Sequence, residues 1–236
     1  MTQAKWREEF RREGRRERAV AGARYFKTGP GQYGAGDRFL GITVPVVRRY
    51  ARAHRESDER TILALLASDW HEERLLGLLI WVEQFERGDE AVRRHIFESY
   101  LAHRDRVNNW DLVDTSAYKI VGAYLESRPM DILFELAGSE RMWDRRLAIV
   151  ASFHLIKNGD ARVALQLAKL LLDDPEDLMH KATGWMLREV GKHCGRPILE
   201  RFLERHAAKM PRTMLRYALE HFDAADREHF MVKKLH

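Results

Sequence analysis

The sequence holds one cysteine, Cys194, in 236 residues. No disulfide can close within the chain, a multi-cysteine zinc site is excluded, and a reducing compartment is expected. Long apolar runs are missing too. The longest, Leu75 to Val82, is interrupted by Gly77 and falls far short of the roughly 20 residues that cross a bilayer. No His-Glu-x-x-His pair occurs among the 11 histidines, so a zinc-peptidase type of site has no starting ligands, and most of them, His71 included, read as surface or helix-end residues. Period-two runs of β-branched residues are absent, which argues against a sheet. Glycine is concentrated in one stretch, from Gly29 to Asp37 inside a segment from Thr28 to Thr43. That stretch lacks a terminal Gly-Lys-Ser/Thr and follows no strand, so neither a mononucleotide nor a dinucleotide loop is indicated. It reads as a connector. The first ten residues are charged and amphipathic without a signal-peptide pattern, and a soluble cytoplasmic protein is expected.

What is present is charge and helical periodicity. Charged residues make up 33% of the chain and hydrophobic residues 45%, with a formal net charge of +5. The cations are 31 Arg against 10 Lys, and Arg is the better residue for forked contacts to phosphate, so an acidic partner is favoured. Apolar residues recur at three and four from Gln3 to Arg12 and from Arg15 to Lys27, with Gly14 between. Helix starts are then read at Pro45, Ser57, Asp69, Asp89, Asn109, Ser139, Asp160, Pro175, Pro197, Pro211 and Asp223. The expected class is all-α.

Leu66, Leu101, Leu136 and Leu171 are spaced by 35 residues, and polar cap-like residues follow each of them. A two-helix unit at this period is the mark of an α-solenoid of HEAT-like repeats, here read as a single domain over 1–236. Counted from each leucine, Trp110 and Asp114 fall at offsets nine and thirteen, Arg145 and Arg146 at nine and ten, and Lys181 and Trp185 at ten and fourteen. Equivalent positions face the same way, so these residues are expected on one concave, basic groove wide enough for a duplex.

The richest stretch is Asn108 to Gly122. Asn109 can cap a helix whose inner face is Leu112, Val113, Ser116, Ala117, Ile120, Val121 and Tyr124. Trp110 and Asp114 are four apart and lie one above the other at the edge of that face. Taken alone they also read as ordinary packing, with an acid favoured early in a helix by the macrodipole. In a groove built for phosphates, however, a carboxylate repels the ligand, and a positive centre on the substrate would account for it. Alkylation of a purine ring nitrogen makes such a centre and weakens the glycosidic bond. Asp114 could stabilise the positive charge that develops on the sugar and orient water, with Trp110 and Trp185 holding the sugar and backbone.

Three segments resemble the AlkD family of bacterial DNA alkylation repair glycosylases: NNWDLVD from Asn108 to Asp114, WDRRLAIV from Trp143 to Val150, and KATGWMLREVGK from Lys181 to Lys192. ARYFK from Ala23 to Lys27 with FLGITVP from Phe39 to Pro45 is similar as well. The resemblance implies a HEAT-like fold that cups double-stranded DNA and, as a monomer, excises cationic N7- and N3-alkylpurines without metal or cofactor. It implies Asp114 as the catalytic aspartate, Trp110 and Trp185 as active-site tryptophans, Arg146 as a backbone-binding arginine and Tyr25 as a tyrosine near the lesion strand. Arg145, Lys181 and Arg188 are expected to join them on DNA. The sequence departs from the pattern at Asn109, where some members carry an aromatic, and in its longer Gly-rich loop. A non-catalytic DNA-binding relative and a HEAT-type protein scaffold are the competing readings. The first makes Asp114 dispensable, and the second gives no reason for a carboxylate set among aligned tryptophans.

Overall fold

Apolar residues at helical spacing fold into helices along the chain in the computed structural model, which describes residues 3–232. Among the described residues there is no strand, only an isolated bridge between Arg38 and Trp70. Backbone contacts divide the chain into two units, Met1–Ser116 and Ala117–His236.

The first unit holds α1 (Gln3–Arg12), α2 (Arg16–Tyr25), α3 (Val44–Ala53), α4 (Glu59–Leu66), α5 (His71–Arg87), α6 (Glu90–Ala102) and the start of α7 (Trp110–Ala117). The centre of the unit is α5, which packs against α3, α4 and α6. Every residue from His71 to Val82 is buried, so the apolar run noted in the sequence is a core helix. Trp81 is buried with it, whereas Trp70 is half-buried under the guanidinium of Arg38, 4.4 Å from the ring. Two acids on α5 organise the amino-terminal third. Glu73 accepts from the side chains of Arg7, Arg11 and Ser68, tying α1 to the core. Burial alone would raise its pKa, but these donors hold the carboxyl down to about 2. Glu72 accepts from the backbone amides of Leu40, Gly41 and Ile42 at 2.7–3.1 Å and so fixes the end of the Gly-rich segment. Gly41 is required there: φ is 79°, and a Cβ would stand 2.1 Å from the carbonyl oxygen of Arg15.

The second unit continues α7 through a π-helical turn, Tyr118–Gly122, into α8 (Ala123–Leu125). It then adds α9 (Asp131–Ala137), α10 (Met142–Ala151), α11 (Phe153–Lys157), α12 (Arg162–Leu170), α13 (Asp177–His193), α14 (Arg196–His206), α15 (Arg212–Ala218) and α16 (Ala224–Met231). Here α13 is central, packing on α10, α12, α14 and α15. Its neighbours include Phe202, Leu203, Met214, Leu215 and Leu219, all buried in one cluster with Leu187. Close approach is possible because residue 184 has no side chain: a Cβ would lie 2.4 Å from the Met214 carbonyl oxygen and 2.6 Å from the Tyr217 Cβ. Gly184→Ala should therefore push α15 away and cost about 1–3 kcal/mol, read as a lower urea midpoint. A shift within about 0.5 kcal/mol would mean that α13 and α15 separate without loss.

The all-α expectation holds, and the 35-residue spacing has a structural meaning. Leu66 closes α4, Leu101 and Leu136 are next to last in α6 and α9, and Leu171 caps α12. After each leucine the chain turns into the second helix of a hairpin: α5, α7, α10 or α13. Boundaries shift by one to three residues from the sequence reading. Asp58 rather than Ser57 caps α4, accepting from the Thr61 amide at 2.8 Å, while Asp89 and Asp223 cap where expected. The helix at Asp131 has no counterpart among the sequence-read starts, because Met130 before it supplies no side-chain cap. Leu112, Val113, Ser116, Ala117, Ile120, Val121 and Tyr124 are all buried, as the periodicity requires.

Candidate active site

In the first unit the structure brings Tyr25 and Trp110 together. Tyr25 ends α2 and is 67% exposed, and its ring meets Trp110 edge-on with centroids 5.8 Å apart. Behind Trp110 lies a series of near-parallel rings. Phe26 stacks on Trp110 at 5.0 Å, Phe39 on Phe26 at 5.0 Å, and His71 on Phe39 at 4.5 Å. Trp110 is half-buried, so one part of the indole is held while another meets solvent. Asp114, also half-buried, follows one turn later on α7. Burial, together with the nearby Asp114 charge, pushes the Tyr100 hydroxyl pKa up, although its hydrogen bond with Ser116 at 2.8 Å opposes this.

The start of α7 is locked by a network that the sequence reading did not find. His71, one of the histidines read as surface or helix-end residues, does open α5 but is only 2% exposed. Its Nδ1 donates to Asp37 Oδ2 at 2.8 Å and its Nε2 to Asp111 Oδ2 at 2.7 Å. Burial opposes a charge on this ring, but the hydrogen bonds and charges of Asp111 and Asp37 override it and raise the pKa to about 9. Asp37, which burial alone would raise, is held at about 2 by His71 and Arg74. Asn109 is fully buried, donates to Asp37 Oδ2 at 3.0 Å and accepts from the Trp110 amide at 2.8 Å. Both neighbours of Trp110 in the chain, Asn109 and Asp111, are thus fastened to the imidazolium system. The Gly-rich segment, read as a plain connector, supplies Asp37 to it. The pairing spans 34 residues from Asp37 to His71 and 40 from His71 to Asp111, so no local pattern encodes it. Only the polar residues flanking Trp110 hinted at it.

In the second unit Trp185 is half-buried on α13 and donates its indole N–H to Glu189 Oε1 at 3.2 Å. Phe153 lies 5.7 Å from it and Tyr118 5.2 Å from Phe153, with the Lys157 ammonium about 6 Å from both of these rings. Glu189 is buried. Burial would raise its pKa, yet Arg188 and Lys192 lower it. Arg188 is half-buried and also pairs with Glu220. Lys181 pairs with Asp177 at 2.7 Å, one turn from Trp185.

The two arginines of α10 differ from a simple surface pair. Arg146 is 5% exposed and donates to the Leu178 carbonyl oxygen at 2.7 Å, joining α10 to the first turn of α13. Arg145 is half-buried, binds Asp174 at 2.6 Å and donates to the carbonyl oxygens of Ser139 and Glu140. Both hold the turns between hairpins in place. Among the described residues no His, Cys, Asp and Glu cluster is arranged to hold a metal ion, and no helix is long and apolar enough to cross a membrane.

The fold is similar to that of a protein from Enterococcus faecalis described as a predicted DNA alkylation repair enzyme, with a TM-score of 0.66 at 16% identity. The match covers 89% of this chain and 97% of that one. No functionally curated protein matches the sequence. The family model for DNA alkylation repair enzyme matches residues 6–222. Spanning both units as it does, that match means that the chain belongs to the DNA alkylation repair enzymes and that DNA is its substrate.

Proposed function

We propose that the protein is a DNA glycosylase that hydrolyses the N-glycosidic bond of cationic N7- or N3-alkylated purines in duplex DNA. The observation that carries this reading is the setting of Trp110 and Asp114. A half-buried indole stacked on Phe26 stands one helical turn before a half-buried carboxylate, with the exposed ring of Tyr25 alongside. Aromatic faces and a carboxylate together favour a cation and disfavour a neutral base. In the proposed reaction the alkylated purine leaves as a neutral base, because its ring nitrogen already carries the positive charge. The glycosidic electron pair goes with it. Positive charge then builds on the sugar, where the Asp114 carboxylate stabilises it and orients the attacking water, whose proton passes to solvent or to the carboxylate.

Trp185 is the second aromatic contact in this reading, and its indole N–H bond to Glu189 sets its orientation. Tyr25 is assigned a direct contact with the lesion strand, in keeping with its exposure. Lys181 and Arg188 are assigned to phosphates that would compete with Asp177, Glu189 and Glu220 for them. Arg145 and Arg146 are assigned to the DNA backbone while also bracing the turns that present it. The helical hairpins are read as HEAT-like repeats of one glycosylase domain over 1–236, acting as a monomer without metal or cofactor.

Release of free 7-methylguanine from methylated duplex DNA, followed by mass spectrometry, tests the reaction. Binding of the duplex without release of any methylated purine would favour a non-catalytic DNA-binding relative instead. Within the same assay Trp110→Ala should slow single-turnover release by about tenfold or more, the loss expected when a desolvated cation–π contact worth about 2 kcal/mol disappears. Trp110→Phe should keep most of the activity. Equal rates for Trp110→Ala and wild type would remove the indole from the site.

A further inference from the structure

Helix α2 contributes no buried residue to the fold. Its inner side is small, with Gly22 allowing the Phe39 ring to within 3.2 Å of where a Cβ would stand. The rest is exposed and cationic. Arg16, Arg18 and Arg24 are exposed, Lys27 follows just beyond the helix, and Glu17 is the single acid between Arg16 and Tyr25. Among the described residues, no side chain of Arg16, Arg18 or Arg24 makes a hydrogen bond or ion pair. The contrast within the same unit is direct: Arg7 and Arg11 bind Glu73, Arg49 binds Glu13, and Arg74 binds Asp37. Arg16 and Arg18 also stand in the first turn, where the helix dipole disfavours cations. Their charge therefore has no return within the fold.

We propose that the outer face of α2 is a phosphate track that holds duplex DNA to one side of the Tyr25 and Trp110 rings. The proposal rests on the glycosylase reading only for where the lesion lies. Arg18 and Tyr25 are seven residues apart, two helical turns, and so share one strip of α2 with a rise of about 10.5 Å. That is about three base pairs of axial rise, at roughly 3.4 Å each, for α2 lying along the duplex axis. Tyr25 thus meets the lesion strand while Arg18 reaches a phosphate about three steps away, with Arg24 about 100° round the helix from Tyr25 and the long side chain of Arg16 reaching the track from the opposite flank. Duplex DNA fits this face better than an anionic membrane does. Val20 and Tyr25 are the large hydrophobic side chains exposed on the helix, and at five residues apart they do not share a face, which leaves no continuous apolar face to insert among lipids.

Binding of a short undamaged duplex, measured by fluorescence anisotropy over a range of salt, tests the track. The variant Arg16→Gln/Arg18→Gln/Arg24→Gln should lower the slope of log affinity against log salt by about 2–3, since each phosphate contact contributes roughly 0.9. The control is Arg201→Gln/Arg205→Gln/Lys209→Gln, which removes the same charge from exposed positions of the second unit and should leave the slope at the wild-type value. All three proteins are compared at matched thermal midpoints, and the substituted residues of α2 make no internal contact whose loss would unfold the chain. Equal slopes for the α2 variant and the wild type overturn the track, as does loss of binding to phosphatidylglycerol vesicles with DNA binding unchanged. An α2-dependent slope in a protein that releases no methylated purine upholds the track and refutes the glycosylase reading instead.

Discussion

Asp114→Asn is expected to lower single-turnover release of 7-methylguanine by about a thousandfold while leaving duplex affinity within about threefold. The two side chains have the same shape, so the packing of α7 is kept and only the charge is lost. A carboxylate about 4 Å from a developing positive charge contributes roughly 4 kcal/mol at an effective dielectric near 20, which corresponds to about three orders of magnitude in rate. Binding should not suffer, because a carboxylate facing phosphates is repulsive and its removal costs the undamaged complex nothing. The measurement is single-turnover excision with enzyme in excess, beside anisotropy binding of the same duplex. Full activity in the variant would place the chemistry elsewhere in the chain. Loss of binding together with activity would make Asp114 a structural residue.

His71→Ala should destabilise the protein by about 3–5 kcal/mol, the usual result of removing one partner from a buried ion pair. Asp37 and Asp111 would be left facing each other, with Arg74 and Asn109 engaging Asp37 alone. Trp110 would lose the anchoring of its Asp111 side while Asn109 stays on Asp37, so excision should fall as well. The pH dependence distinguishes a charged His71 from a neutral one. Its pKa is raised from 6.5 to about 9 on folding, so its contribution is fully present below pH 6.5 and is lost as pH rises through about 9. A shift of this size corresponds to about 3 kcal/mol at about 1.4 kcal/mol per unit. Asp37 acts at the other end. Its pKa is lowered from 3.8 to about 2, so its contribution is present above 3.8 and is lost as pH falls through about 2. Urea unfolding of wild type should therefore show a decline between about pH 6.5 and 9 that His71→Ala lacks. Parallel pH profiles for the two proteins would mean that the ring is neutral in the folded state.

The outcome for particular residues shows where sequence is a sufficient guide. Asp89 and Asp223 cap their helices as read, and the Leu66, Leu101, Leu136 and Leu171 positions mark helix ends, because both depend on groups within a few residues of each other. The contact between Tyr25 and Trp110, 85 residues apart, has no local signal in the sequence. His71 stands at a helix end, but its burial was not legible because a histidine at a helix start is ordinarily exposed. What makes it an internal cation is a pair of carboxylates from other parts of the chain, and only folding assembles them. Arg145 and Arg146 show the converse. Their offsets in the repeat are regular, but α10 buries one guanidinium against the Leu178 carbonyl and binds the other to Asp174.

From its residues alone this sequence determined an all-α chain of paired helices, a basic surface rich in arginine, and a Trp-Asp pair one turn apart, since helical periodicity, caps and i to i+4 spacing are local properties of the chain. Only the tertiary structure decided which of its charges are spent inside the fold and which are left for a ligand. A guanidinium or imidazole is an internal tie or a free cation according to what lies within about 3 Å of it. For His71, Arg145 and Arg146 those groups come from distant parts of the chain, while for Arg16, Arg18 and Arg24 none arrives.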